Sequence, residues 1–293
     1  PDGATVLQNR FGTAPGLYFP AVTQPSWASP HFFLLPGPPR ELQPMFEDEA
    51  FPILQRIAAG LEARECRVYR VVGMGESAVE KLVGFELSKN PALEVGYCAR
   101  PNEVDFRLIG EKGVLDSVEP AVISALGANL VSAEGEGIEE WLVESLSKRQ
   151  LTVSTAESCT GGLLASRLTD VPGSSAVFRE GFVTYSNEAK TKLLGVPAVF
   201  IANHGAVSRD VAIAMAEGAR KNASADYALS LTGIAGPGGG TPEKPVGLVF
   251  IALARPHGET LCVEKKFLVD RATFKQLASQ AALDLLRRDL MGL

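Results

Sequence analysis

Histidine is the scarcest reactive side chain in this protein: His31, His204 and His257 are the only three in 293 residues. Any mechanism built on imidazole therefore has few places to start. His257 lies in a Pro-His-Gly-Glu turn between two strand-like runs, and His204 in an Asn-His-Gly tract ahead of a helical pattern. Both read as turn or structural positions. Cysteine is also sparse. Cys66, Cys98, Cys159 and Cys262 are scattered, with no C-x-x-C pair, which excludes the common zinc patterns and a disulfide framework. That usage fits a reducing compartment, and cytoplasmic residence is the expectation. No uninterrupted apolar run approaches the roughly 20 residues of a spanning helix, so no membrane partner is expected. Nor is there a basic excess: 28 Lys and Arg against 34 Asp and Glu leave a formal charge of −6. The electrostatic footprint of a nucleic-acid binder is missing, and direct binding to nucleic acid is not expected.

What is present is the composition of a globular chain, 46% apolar and 21% charged, long enough for about two domains. Residues 1–57 are rich in Pro, Gly and aromatics. They contain a short strand at Phe32–Leu35, a Pro36-Gly37-Pro38-Pro39 turn and a helix beginning at Arg40–Phe46. This segment reads as the tail of a domain whose beginning is absent. From residue 58 to 134 a small α/β unit is predicted, with strands at Arg67–Val72, Leu93–Tyr97 and Val104–Ile109 and helices at Ala78–Leu87 and Leu115–Leu126. Val131–Gly137 reads as a linker. Residues 135–293 then alternate: an amphipathic helix through Ile138, Trp141, Leu142 and Leu146 precedes strands at Leu151–Thr155, Gly181–Tyr185, Tyr227–Ile234, Val246–Ala254 and Cys262–Phe267. Helices are expected at Gly161–Thr169, Asn187–Leu194, Arg209–Lys221 and Ala272–Leu290, with Ser208 and Asp270 as N-caps. The alternation predicts an α/β layer architecture around a mixed sheet.

In that last region polar and glycine residues gather at the ends of predicted strands. The first such tract, Ser154-Thr155-Ala156-Glu157-Ser158-Cys159-Thr160-Gly161-Gly162, is a strand-to-helix elbow. An elbow of this kind presents hydroxyls and free backbone N–H groups to an anion or a carbonyl oxygen. Ser158 or Thr160 acting as an ordinary N-cap explains it equally well. Cys159 is a second candidate nucleophile, placed below the serine because small buried cysteines are common. The others are Tyr185–Lys190, the Thr232–Gly240 glycine loop, which lacks the Lys-Ser/Thr of a Walker loop, and Asp270-Arg271. With histidine scarce, a lysine of lowered pKa is the available base for a serine. Lys190, five residues after Tyr185, sits where a helix N-terminus disfavours ammonium. On spacing alone, however, Lys190 is better explained as a surface lysine like Lys192. Arg271 reads either as a phosphate clamp or as a partner for Asp270.

Taken together, Thr155–Gly162, Pro172–Ser175, Gly181–Lys190, His204–Ser208, Thr232–Gly240, Glu243–Gly247 and Asp270-Arg271 closely resemble the C-terminal domain of the CinA (competence/damage-inducible) family. The front of the chain is similar to that family's multidomain members. Thr5–Gly16 and Leu35–Leu42 resemble the end of a molybdopterin-binding-like domain, and Gly73–Ser77 with Ala99–Val104 a KH-like domain. The resemblance implies three parts: a partial α/β N-terminal domain over 1–57, a small KH-like α/β domain over 58–134 and an amidohydrolase domain over 135–293. It implies deamidation of nicotinamide mononucleotide to nicotinic acid mononucleotide and ammonia, with Ser158 as nucleophile, Lys190 as base and Tyr185 assisting. Substrate contacts are then expected from Thr160, Gly161, Gly162, Thr232, Gly233 and Gly236, with backbone N–H groups near 160–162 or in the 232–236 loop as oxyanion donors. Arg271, Ser174 and Ser175 are the phosphate candidates. A small-molecule pyridine nucleotide is the expected partner, in a homodimer. No cofactor is expected for the deamidase, and a divalent metal only with the absent part of the N-terminal domain. Two other functions stay open: an ADP-ribose pyrophosphatase-type hydrolase and a DNA-uptake accessory protein.

Overall fold

The computed structural model describes residues 2–60 and 64–293 and divides into two units, residues 1–63 and 64–293. In the first, Thr5–Leu7 (β1) pairs with Gly16–Phe19 (β2). Val22–Gln24 (β3) and Trp27–Ser29 (β4) form a separate hairpin, and Phe32–Leu34 (β5) returns to β2. The helix expected from Arg40 begins at Pro39, with Pro at a position where the lost N–H costs nothing. It runs from Pro39–Met45 (α1) through a five-residue π turn to Phe51–Ile57 (α2). Leu7, Met45 and Ala50 form its small core.

In the second unit, Glu65–Val72 (β6) is the long central strand of an antiparallel sheet. Glu76–Val79 (α3) and Phe85–Leu87 (α4) bracket a π turn, and Glu94–Arg100 (β7) and Glu103–Gly110 (β8) follow as a hairpin. Lys112–Leu126 (α5) lies on the sheet, burying Leu115, Val122 and Leu126 against Tyr69, Phe106 and Leu108. The tract read as a linker is not one throughout. Leu130–Ser132 (β9) adds to β6 as an edge strand, giving the order β7-β8-β6-β9. Among its apolar residues, Val131 is buried.

Ile138–Arg149 (α6) then leads into the five-stranded sheet. Its strands are Val153–Glu157 (β10), Phe178–Val183 (β11), Tyr227–Gly233 (β12), Leu248–Ala254 (β13) and Leu261–Lys266 (β14), in the order β11-β10-β12-β13-β14. β10 is parallel to β11 and β12, whereas β13 and β14 are antiparallel, so the sheet is mixed as expected. Leu163–Thr169 (α7) joins β10 to β11. Asn187–Leu194 (α8), Ala198–His204 (α9) and Arg209–Asn222 (α10) join β11 to β12, and Arg271–Leu290 (α11) closes the chain. Alternation along β12 explains the layers. Tyr227, Leu229 and Leu231 face a large core shared with α6, α7 and α11. The small Ala228, Ser230 and Thr232 face α10, which answers with Ala212, Ala216 and Ala219. Small residues on both sides let α10 come close. At Gly218 a Cβ would lie 2.0 Å from the Leu194 carbonyl oxygen, so only glycine fits there. Because β11 and β12 lie on opposite sides of β10, the connections leave its carboxyl end in opposite directions. That is the point where open α/β sheets bind ligands, and Ser158 is the next residue in the chain.

Candidate active site

β10 ends buried on both faces, and the Ser158 N–H still pairs with the Leu231 carbonyl of β12 at 3.0 Å. The chain then turns sharply. Gly161 at φ +62° and Gly162 at φ +97° occupy the left-handed region, which a glycine adopts at little cost. Neither Ser158 nor Thr160 caps the helix that follows. Gly162 is the N-cap residue of α7 and gives no side-chain cap. The cap comes from Glu157 instead. Its fully buried carboxylate accepts from Gly162 N and Leu164 N, each at 3.0 Å, and from Ala165 N at 2.8 Å. Glu157 stood in the motif without a role. The only signal available was an acidic residue four positions ahead of the helix expected from Gly161, where the N–H groups of a first turn attract anions.

Lys190 is not a surface lysine. It is 1% exposed, its Nζ lies 3.0 Å from Ser158 Oγ, and it donates to the Thr184 carbonyl at 2.8 Å. Ser186 caps α8 by accepting from Ala189 N at 3.1 Å, which fixes the start of the helix that carries Lys190. Burial holds the amine below the usual lysine range. The largest cause is desolvation. Cys159, 5% exposed, faces the opposite consequence: burial pushes its thiol up to about 12, which removes the thiolate a cysteine nucleophile needs.

The remaining candidates divide. Tyr185 is 62% exposed, and its hydroxyl accepts from Arg271 Nη2 at 2.8 Å rather than meeting Ser158 or Lys190. Arg271 also donates to the Gly236 carbonyl at 3.1 Å. It does not pair with Asp270, whose carboxylate caps α11 through Ala272 N and Thr273 N. Thr232 and Gly233 stand at the carboxyl end of β12 beside β10, but the Thr232 hydroxyl turns away to the Ala206 carbonyl at 2.8 Å. Of the backbone donors expected around 160–162, Gly161 N is spent on the Ser158 carbonyl and Gly162 N on Glu157. In the glycine loop, Ile234 N goes to Leu248 O. Cys159 N and Thr160 N have no acceptor among the described residues, and they flank Ser158 on its helix side. Ser174 and Ser175 are not brought to this site. They precede Phe178, which pairs with Val153 at the amino end of the parallel strands. At about 3.3 Å per residue, that is a strand's length from Ser158. His204, at the end of α9, contacts Asp210, and His257 is exposed in the turn between β13 and β14. Among the described residues no group of three or more His, Cys, Asp or Glu is placed to hold a metal ion, and no helix is long and apolar enough to cross a membrane.

A serine at a strand–helix elbow, a buried lysine behind it and an arginine-tethered tyrosine at its rim make one constellation. The family profile of the CinA C-terminal domain matches residues 135–290, which contain all of it. A CinA-like protein of Akkermansia muciniphila is 48% identical over 283 residues, covering 97% of this chain and 67% of that one. The chain belongs to the CinA family. Another CinA-like protein, from Desulfovibrio desulfuricans, is 43% identical, covering 100% of this chain and 69% of its own. Among solved structures, the competence/damage inducible protein CihA of Agrobacterium tumefaciens is 44% identical with a TM-score of 0.50, covering 53% of this chain and 97% of that one. The CinA superfamily protein of Klebsiella pneumoniae is 33% identical with a TM-score of 0.51, again over 53% of this chain and 97% of that one. This CinA-family chain therefore carries its candidate site within the residues that the C-terminal domain profile matches.

Proposed function

We propose that this CinA-family chain is an amidohydrolase that deamidates nicotinamide mononucleotide, with residues 135–293 as the catalytic domain. One observation carries the reading: a lysine 1% exposed, its pKa lowered by burial, within 3.0 Å of a serine hydroxyl at the carboxyl end of the parallel strands of a mixed sheet. A neutral amine in that position accepts the Ser158 proton as Oγ attacks the carboxamide carbon. The oxyanion that forms meets the unspent N–H groups of Cys159 and Thr160. The ammonium then formed at Lys190 returns its proton to the leaving nitrogen, the C–N bond breaks and ammonia departs. Water attacks the acyl-enzyme as Lys190 takes its proton, the ester bond breaks, and Lys190 passes that proton to the departing Oγ, which releases nicotinic acid mononucleotide and regenerates the Ser158 hydroxyl and the neutral amine. Tyr185 acts at one remove, by holding Arg271 at the rim. No cofactor is needed for these steps.

Ammonia release from nicotinamide mononucleotide tests this directly. Ser158→Ala should lose essentially all turnover, and Lys190→Ala should lose at least about a thousandfold in kcat, as expected where nucleophile and base act as a unit. Turnover retained in Ser158→Ala would sink the acyl-enzyme. Turnover retained in Lys190→Ala alone would remove the proposed base.

A further inference from the structure

Lys275 had no role in the motifs, yet the fold places it beside the nucleophile. It follows Arg271 by four residues on α11, so the two side chains share one face of that helix. Its Nζ lies 3.9 Å from the point where a side chain on Gly161 would begin, so the ammonium stands over the loop that carries Ser158. Lys275 is half-buried and makes no ion pair or hydrogen bond among the described residues. Among the described residues Arg271 is held only by neutral oxygens, the Gly236 carbonyl and the Tyr185 hydroxyl. Asp270, which adjoins Arg271, is committed to the α11 cap, and Glu157, which adjoins Ser158, to the first turn of α7. Lys275 over the serine loop and Arg271 one turn before it on α11 thus meet no acid among the described residues.

We infer that Lys275 and Arg271 together form the subsite for the phosphate of the substrate. The inference rests on the deamidase reading above, and it gives the phosphate contact to Lys275 where sequence had pointed to Ser174 and Ser175. The chemistry is complementary. A guanidinium offers a planar fork to two phosphate oxygens, and an ammonium on a flexible stem adds a point charge from the other side. With the carboxamide at Ser158 Oγ and an anion at α11, the site selects a pyridine nucleoside monophosphate over the nucleoside.

The test measures binding by calorimetry on the Ser158→Ala background, which blocks turnover, with nicotinamide mononucleotide and nicotinamide riboside as probes. Adding Lys275→Met should weaken the mononucleotide about tenfold or more and leave the riboside unchanged, which also reports an intact fold. Lys275→Arg should keep most of the preference. Equal weakening of both probes, or none for the mononucleotide, overturns the subsite. So does a background protein that binds the riboside as tightly as the mononucleotide, whatever its ammonia release. If the mononucleotide is preferred but the wild-type protein releases no ammonia, the deamidation reading falls and the subsite stands.

Discussion

Lys190 shows how far one side chain's surroundings decide its chemistry. Its neighbour Lys192 is exposed on the same helix, and nothing in their local sequence separates them. What separates them is helical phase: Lys190 turns inward and meets Ser158 and the Thr184 carbonyl. Its lowered pKa makes two pH predictions. The base must be neutral to accept the Ser158 proton, so kcat/KM for deamidation should rise with pH and level off at a pKa below the ordinary lysine range. A kcat/KM that shows no rise with pH before the ordinary lysine range is reached, or one that falls there, would contradict a lysine base. Stability should move the same way. Between the folded pKa and the unfolded value of about 10.4, the unfolded chain binds the proton that the folded chain has lost. Stability therefore rises with pH through that window and is flat below and above it. Lys190→Met should abolish this rise, as read from urea midpoints across pH.

At the scale of elements, α7 depends on a residue that belongs to the strand before it. Glu157 ends β10 and satisfies three of the orphan N–H groups in the first turns of α7, five, seven and eight residues further on. In doing so it takes up Gly162 N, while Cys159 N and Thr160 N, beside Ser158, keep no acceptor among the described residues. Glu157→Gln keeps the shape but turns an amide donor toward these N–H groups. It should cost about 2 kcal/mol of stability and lower kcat more than it raises KM. An unchanged urea midpoint would show that the carboxylate is not holding the helix. Much of this region was legible in sequence, because the apolar runs of β12 and β13 and the caps at Ser208 and Asp270 are local signals. Glu157 was obscure because it caps from inside a strand rather than from the N-cap position. The α9 helix was obscure because Pro197 precedes seven residues with no apolar periodicity strong enough to mark it, and none of them is buried. Lys275 could not be read at all, since its meaning comes from Gly161, more than a hundred residues earlier. Ser174 and Ser175 were misplaced for a related reason: the motif lies between the site's motifs in sequence, but it leads into the start of β11, and so lies at the amino end of the parallel strands, whereas Ser158 follows their carboxyl end.

Within residues 64–293 the two sheets are tied by charge as well as by packing. Arg287 on α11 is 0% exposed and reaches out of the five-stranded layer to the turn before β9. Its Nη1 donates to the Leu130 carbonyl at 3.2 Å and its Nη2 to the Ala128 carbonyl, while Asp284 on the same helix accepts from Nε at 3.0 Å and Nη2 at 2.7 Å. Arg288 adds a bond from Nη2 to the Asn129 side chain at 2.9 Å and shares Asp284. A lysine could not span these partners, because the fork geometry serves the carbonyls and the carboxylate at once. β9 is the short edge strand that the sequence presented as a linker, and it pairs with β6 at only two positions, with an irregular register between them. The strand is therefore held as much by α11 as by its own ladder. Arg287→Met preserves the apolar stem but leaves two carbonyls unpaired and Asp284 with Arg288 alone. It should cost about 3 kcal/mol, with Arg287→Lys intermediate. The loss should centre on β9, so amide exchange at Val131 and Ser132 should accelerate more than exchange in β10 or β12. If instead the midpoint shifts while β9 exchange keeps pace with the other strands, the arginine stabilises the whole unit rather than anchoring this strand.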